Sequence, residues 1–118
     1  MTFKRADRVN ALLQRELGTL ISEELRDPRI FFPTVTSVDC TSDLRSARVH
    51  VSVLGDEDQI TSTMTALIEA RAYLRRELGA RTDLRHVPDL TFVSDRTAEQ
   101  SARISTLLRQ AREQEGES

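Results

Sequence analysis

Arginine side chains in the third quarter of the chain offer the clearest chemistry of this sequence. Residues 71–86 hold five arginines but only two acidic residues, whereas the whole chain has a formal net charge of −2. A guanidinium group binds phosphate through paired hydrogen bonds, and a locally positive surface attracts polyanions whatever the overall charge. The candidate phosphate-binding residues of this segment are Arg71, Arg75, Arg76, Arg81 and Arg85.

Further positive side chains lie outside this segment. The candidates for additional contacts with the same ligand are Lys4, Arg5, Arg8, Arg45 and Arg48. Charge on a helix is often only its solvated face, but two features favour a ligand here. Arg71 and Arg75 are four residues apart and would repel each other on a helix, and the positive charge continues beyond the predicted helix. Tyr73 is the only aromatic residue near in sequence, which favours backbone and shape contacts over base stacking.

Residues suited to catalysis or metal binding are few. Cys40 falls on the inward side of a predicted strand, which indicates a buried structural thiol rather than a nucleophile. His50 falls on the outward side of the next strand, and His86 lies in a basic loop. Metal sites need several Cys or His residues close together, and the four glycines are too dispersed for a phosphate-binding loop. The sequence therefore predicts no enzyme, no metal and no cofactor.

Length and composition predict one domain in a reducing compartment. The 118 residues can bury a core without disulfides, and a single cysteine cannot form one internally. No apolar run is long enough to cross a membrane, and no signal peptide precedes the first helix. We therefore expect a cytoplasmic protein, with a folded domain over residues 1–112 and an acidic, disordered tail over residues 113–118.

Hydrophobic periodicity predicts a helix followed by two strands in the first half of the chain. Apolar residues three and four apart indicate a helix over residues 4–26. It ends at Asp27 because a residue before proline avoids the helical conformation. β-branched residues predict a strand over residues 34–41, and strict alternation predicts the next one. The predicted inner face of that second strand is Ala47, Val49, Val51 and Val53.

The second half of the chain predicts two more helical regions around a third strand. Asp56 and Gln59 predict a capping box at a helix start, and Gly79 is a candidate cap at its end. The predicted buried face of this helix is Ile60, Met64, Leu67, Ile68, Leu74 and Leu78. A strand is expected over residues 87–95 and a last helix from Thr97. The order predicts an α+β two-layer domain with helices on one face of a three-stranded sheet, whose third strand runs parallel to its neighbour.

Several short motifs lie along the chain. In one motif, over residues 23–30, an acidic helix end leads into Asp-Pro-Arg. The other motifs are Arg8-Val9, Thr36-Ser37-Val38, Ser42-Asp43-Leu44, Leu78-Gly79 and residues 87–92. In their order and spacing these motifs make the chain resemble the ribosome-binding factor A family, small bacterial factors for maturation of the small ribosomal subunit. The likeness covers about residues 8–108.

The resemblance implies a type II KH-like fold of the order α-β-β-α-(kink)-α-β-α. An ordinary KH domain lets the RNA backbone approach at a Gly-x-x-Gly loop, and this family has an interrupted helix with an Ala-x-Gly kink instead. The matching positions are Ala70, Arg71 and Ala72, so the final glycine is an alanine here. Periodicity alone predicts one helix over residues 58–78, whereas the resemblance implies a kink near Ala72 and adds Ala70 and Ala72 to the predicted RNA-binding residues.

The resemblance also implies a function. The chain would be a non-enzymatic, monomeric assembly factor whose KH-like domain, residues 1–112, binds the immature small (30S) ribosomal subunit and its 16S rRNA. Two alternatives remain open at this point. One is a homodimeric protein-interaction module without RNA affinity, in which Val35 and Val93 add apolar surface to the outer sheet face. The other is an enzyme with a site at Cys40 or His50.

Overall fold

Three helices and three strands form over residues 5–95, the part of the chain that this computed structural model describes. The elements are α1 (Arg5–Thr19), β1 (Pro33–Cys40), β2 (Ser46–Val53), α2 (Glu57–Glu69), α3 (Arg71–Arg81) and β3 (Asp89–Ser94). Helix α1 continues into one turn of π-helix, Leu20–Glu24, so the first predicted helix forms but changes its winding before it ends. Lys4, the last predicted helix and the acidic tail lie outside the described residues.

The three strands form one sheet in the order β1-β2-β3. Strands β1 and β2 pair antiparallel, as their short connection predicts. Strand β3 pairs parallel to β2, with Leu90 beside Ala47 and Phe92 beside Val49. The parallel crossover predicted from the long helical connection is therefore confirmed, and β2 is the central strand.

One face of the sheet, called here the inner face, packs against the helices. The alternation predicted for β2 is confirmed, because Ala47, Val49 and Val51 are buried. The helices cover these strands with Leu13, Leu17, Leu20, Leu67, Leu74 and Leu78. The chain is thus the expected α+β two-layer domain, and its strand directions and helix order are those of the type II KH-like fold.

A β-bulge in β1 corrects one prediction about the outer face of the sheet. The pairing with β2 shifts between Val35 and Ser37, so Thr36 is the extra residue. As a result Val35 and Val38 are both buried against the helices, although they are three residues apart. The side-chain amide of Gln14 on α1 donates to the Thr36 carbonyl oxygen at 3.1 Å and holds the bulge. The prediction that Val35 adds apolar surface to the outer face is therefore wrong.

Helix α2 begins as predicted but buries a partly different face. The capping box is confirmed, since the side chains of Asp56 and Gln59 each accept a backbone N–H from the other residue, both at 2.8 Å. Ile68, predicted to be buried, is 46% exposed, and Thr63 is fully buried instead. The Thr63 hydroxyl accepts the N–H of Phe31 at 2.9 Å and donates to the Gln59 carbonyl at 2.8 Å. A buried polar side chain is satisfied there, which the apolar pattern does not predict.

The long helix is interrupted at Ala70, between α2 and α3. Its backbone angles are φ −83° and ψ 1°, outside the helical values on either side. Backbone hydrogen bonds nevertheless cross the break, from Ala70 N–H to the Ala66 carbonyl at 3.0 Å and from Leu74 N–H to the Ala70 carbonyl at 2.9 Å. The interruption implied by the resemblance exists, but it lies two residues before Ala72. Gly79 is not a cap, because α3 continues for two residues beyond it.

Candidate nucleic-acid interface

Helix α3 presents two of its arginines to solvent. Arg71 and Arg76 are exposed, and neither forms an ion pair with another described residue. The Arg76 guanidinium lies over the ring of Tyr73, 6.0 Å from its centroid, at the outer limit of a cation–π contact. Both guanidinium groups keep their hydrogen-bond donors available for an external phosphate.

Arg75 points into the fold rather than outward. One terminal nitrogen donates to the Val87 carbonyl oxygen at 2.9 Å, and the other lies 3.3 Å from a carboxylate oxygen of Asp89. Its Nε is buried and makes no hydrogen bond. The side chain therefore holds the segment that leads into β3, and little of it is available to a ligand.

Arg81 is also engaged within the fold. Its guanidinium lies 3.3 Å from a carboxylate oxygen of Glu24 and 3.6 Å from one of Glu77. The pair with Glu24 joins the end of α3 to the π-helical turn after α1. The described residues thus do not provide the continuous row of free guanidinium groups that the sequence predicts. Which side chains contact RNA stays a prediction, and the free donors of the segment are Arg71, Arg76 and Arg85.

Small residues surround Arg76 on the solvent side of α3. Ala72, four residues earlier, and Gly79, three residues later, lie on the same helix face. Both are exposed, as is Ala80. On the side of Arg76 away from Tyr73, these small side chains allow an external backbone to approach the helix closely. Ala72 therefore keeps a place in the candidate interface, although the helix break is not at this residue.

A second group of positive side chains meets near the start of α1. Arg5 and Arg85 line a cavity of about 150 Å³ together with His86. His86 also lines a neighbouring cavity with Arg45, Asp43 and Asp89. The structure therefore brings three of the sequence-predicted arginines, Arg5, Arg45 and Arg85, to one region, with two carboxylates among them.

Two other candidates line neither of these cavities. Arg8 is exposed on α1, one helical turn after Arg5, and Arg48 is exposed on the outer face of β2. The helices cover the inner face, so Arg48 and α3 lie on opposite sides of the sheet. A flat ligand on α3 does not reach Arg48.

The side chains considered for catalysis do not form a recognisable site. Cys40 is half-buried, and burial followed by the nearby Asp39 charge raises the pKa of its thiol, which lowers its nucleophilicity at neutral pH. His50 Nε2 lies 3.3 Å from a carboxylate oxygen of Asp39. Over residues 5–95, no group of three or more His, Cys, Asp or Glu residues could hold a metal ion. None of the helices described is long and apolar enough to span a membrane.

The loop before β1 is a feature that the charge pattern does not indicate. Arg29 binds both carboxylate oxygens of Asp27, with a shortest distance of 2.7 Å, and also binds Glu69 at 2.7 Å. Glu69 is the last residue of α2, so this ion pair fixes the loop beside the Ala70 break. Hydrogen bonds from Arg29 lower the pKa of Asp27 to about 2. The loop is therefore an ordered neighbour of the candidate interface.

Comparison with known proteins identifies the family of this chain. The sequence profile of ribosome-binding factor A matches residues 5–108. This chain belongs to the ribosome-binding factor A family. A relative from Desulfitobacterium hafniense (strain DSM 10664 / DCB-2), named ribosome-binding factor A, is 44% identical over 115 residues, which cover 98% of this chain and 92% of the relative.

Structures of the family have the same fold. The crystal structure of ribosome-binding factor A from Thermus thermophilus superposes with a TM-score of 0.70 at 30% identity, covering 78% of this chain and 97% of that one. A homology model of the Thermus thermophilus factor, fitted into the cryo-EM map of a 30S complex, gives a TM-score of 0.63 at 32% identity over 73% of this chain and 90% of that one.

Proposed function

We propose that this chain is a non-enzymatic assembly factor that binds the immature small ribosomal subunit through its 16S rRNA during late maturation. Family membership supports ribosome binding, and the Thermus thermophilus relative has been fitted into a 30S complex. The observation that carries the RNA contact is the solvent face of α3, where Arg71 and Arg76 are free and small side chains leave room for a backbone.

The proposed mechanism uses binding free energy alone. The factor favours one conformation of the rRNA by binding it more tightly than the mature conformation. Arg71 and Arg76 would each bind phosphate oxygens, and the Arg5, Arg45 and Arg85 region would bind a second stretch of backbone. No covalent bond is made or broken and no cofactor is needed. The factor would act as a monomer in the cytoplasm, where subunits are assembled.

The central test is charge reversal at the two free arginines of α3. We expect Arg71→Glu with Arg76→Glu to weaken co-sedimentation with immature small subunits by about tenfold or more, and to reduce the slope of log affinity against log salt by about one to two. Arg15→Glu is the control for charge reversal at a single exposed arginine, because Arg15 lies on α1 outside the candidate interface with 73% of its side chain exposed. Arg75 and Arg81 are unsuitable for this test, since reversing them breaks contacts that hold the fold.

The comparison of immature with mature subunits tests the maturation step. The unchanged chain should bind immature subunits more tightly. Equal affinity for both kinds of subunit would contradict the proposed maturation role, and an unchanged salt slope in the double variant would contradict the proposed role of Arg71 and Arg76.

A further inference from the structure

We propose that Phe32, on the loop before β1, stacks on an unpaired nucleobase of the ribosomal RNA. This inference rests on the function proposed above and adds a base contact to a surface otherwise expected to bind phosphates. Phe32 is 78% exposed, although the phenyl ring is a side chain that folding normally buries. Its backbone has φ 39°, a conformation that is uncommon for any residue with a Cβ. The fold thus holds an aromatic ring in solvent at a conformational cost.

The loop is held in place on both sides of Phe32, so the ring is not on a freely moving segment. Pro33, which follows Phe32, pairs with Val53 in the sheet, and two residues before Phe32 are bound to α2. The Ser62 hydroxyl donates to the Arg29 carbonyl oxygen at 3.0 Å, and the Thr63 hydroxyl accepts the N–H of Phe31 at 2.9 Å. Arg29 itself is clamped by its two carboxylate partners. A ring presented by a rigid loop loses little conformational entropy on binding.

An apolar cleft beside the ring completes the candidate base site. It has a volume of about 780 Å³. Its apolar walls are Ile21, Leu25, Pro28, Ile30, Phe31 and Pro33. The charged residues among its lining are Arg26 and Asp27, and the Asp27 carboxylate is already bound by Arg29. The available charge at the rim is therefore positive, which suits an anionic ligand such as a nucleotide better than a neutral or basic peptide.

The position of the cleft relative to α3 favours RNA as its ligand. Arg29 binds Glu69 at 2.7 Å, and Arg71, with its free guanidinium, is only two residues further along the chain. The loop that carries Phe32 is thus tied to the last residue before the Ala70 break, and the free guanidinium of Arg71 belongs to the first residue after it. Single-stranded RNA is recognised by this combination, in which a base stacks on an aromatic ring while a cation binds the adjacent phosphate.

The test uses tryptophan as an optical probe of stacking. The chain contains no tryptophan, so Phe32→Trp introduces a single one at the proposed site. Leu54→Trp is the matched control, because Leu54 is also 78% exposed and lies after β2, outside the cleft. Immature small subunits should quench the Phe32→Trp fluorescence, since a base stacked on indole quenches it, and should leave the Leu54→Trp emission unchanged.

Affinity measurements separate stacking from apolar contact. Phe32→Leu keeps an apolar side chain without a ring and should weaken co-sedimentation by about tenfold, whereas Phe32→Tyr should retain the affinity. Circular dichroism and urea unfolding confirm that each variant folds. A blue-shifted, brighter Phe32→Trp emission, as a protein segment in the cleft would give, overturns the inference, and so does an unchanged emission. If the unchanged chain itself does not co-sediment, the proposed function fails as well.

Discussion

Arg29 joins the loop before β1 to the end of α2. Hydrogen bonds from Arg29 lower the pKa of Asp27 from its ordinary value of 3.8 to about 2. The folded chain therefore binds the Asp27 proton more weakly than the unfolded chain does. By linkage, the lowered pKa stabilises the folded chain at pH values above 3.8, and this stabilisation is lost as the pH falls through about 2.

We expect carbon-13 NMR of the Asp27 carboxyl group to give a titration midpoint of about 2 in the unchanged chain. In Arg29→Gln the midpoint should rise towards 3.8, the ordinary value, and acid unfolding should begin at a higher pH because the stabilising pair is absent. Asp43 is the internal control, because hydrogen bonds from the Thr41 hydroxyl and the Arg45 N–H lower its pKa. If the Asp27 midpoint stays low in Arg29→Gln, a group other than the Arg29 side chain lowers the pKa of Asp27.

Arg75 and Arg76 show what the sequence can and cannot predict about single residues. The positive charge of the segment is visible in the residue types alone. The residue types do not show which of these two neighbouring arginines is engaged within the fold and which is free. The partners of Arg75 are Val87 and Asp89, which only the folded chain brings to α3. The exposure of Phe32 is likewise not predictable from the sequence, because a single aromatic residue in a short loop belongs to no periodic pattern.

At the scale of elements, the helix break illustrates a limit of local propensity. Alanine is the strongest helix former, and the residues around Ala70 predict one uninterrupted helix. The resemblance supplies the interruption but places it near Ala72, the position that corresponds to the glycine of the Ala-x-Gly pattern it implies. In this chain Leu67 and the α3 residue Leu74 are both buried against the sheet. These two residues are seven apart and would share one face of an uninterrupted helix as well, so the apolar pattern carries no sign of the break and periodicity does not predict it.

Substitutions at Ala72 and Gly79 test whether both residues lie inside helix α3. Gly79→Ala should stabilise the fold by about 0.5–1 kcal/mol, because alanine is the better helix former. An added Cβ at Gly79 would meet only Val87 Cγ2, at 3.7 Å, which is an ordinary contact. Ala72→Gly should destabilise the fold by about the same amount.

Urea unfolding measures both changes in the free energy of unfolding. A destabilised Gly79→Ala variant would mean that Gly79 adopts a backbone conformation that alanine resists, as the cap predicted from the sequence would. A neutral Ala72→Gly variant would place residue 72 at the helix break rather than inside α3.

At the scale of the whole molecule, the sheet is the part that the sequence predicts best. Alternation along β2 gives its buried face residue by residue, and connection lengths give the strand directions. The bulge at Thr36 is missed because one inserted residue reverses the alternation without any change in composition. It depends on Gln14, which approaches from α1 and bonds the bulged backbone. Tertiary hydrogen bonds of this kind are absent from the one-dimensional pattern.

The tail provides a prediction at this scale. Removing residues 113–118 deletes three glutamates and changes the formal net charge from −2 to +1. The family profile ends at residue 108, so we expect co-sedimentation with small subunits to be unchanged or slightly stronger, because fewer negative charges face the rRNA phosphates. A full-length variant with Glu113, Glu115 and Glu117 changed to Gln separates charge from length. A loss of affinity of about fivefold on truncation would assign the tail a binding role.

The parallel pairing of β3 with β2 sets the order in which this chain can fold during its own synthesis. The β1–β2 hairpin is complete once residue 53 has emerged, but its open edge must wait for Asp89–Ser94, on the far side of two helices. Contacts so distant in sequence form slowly. A translation product that stops before residue 89 would expose the free edge of β2 and its valines, and would tend to aggregate rather than persist as a partial factor.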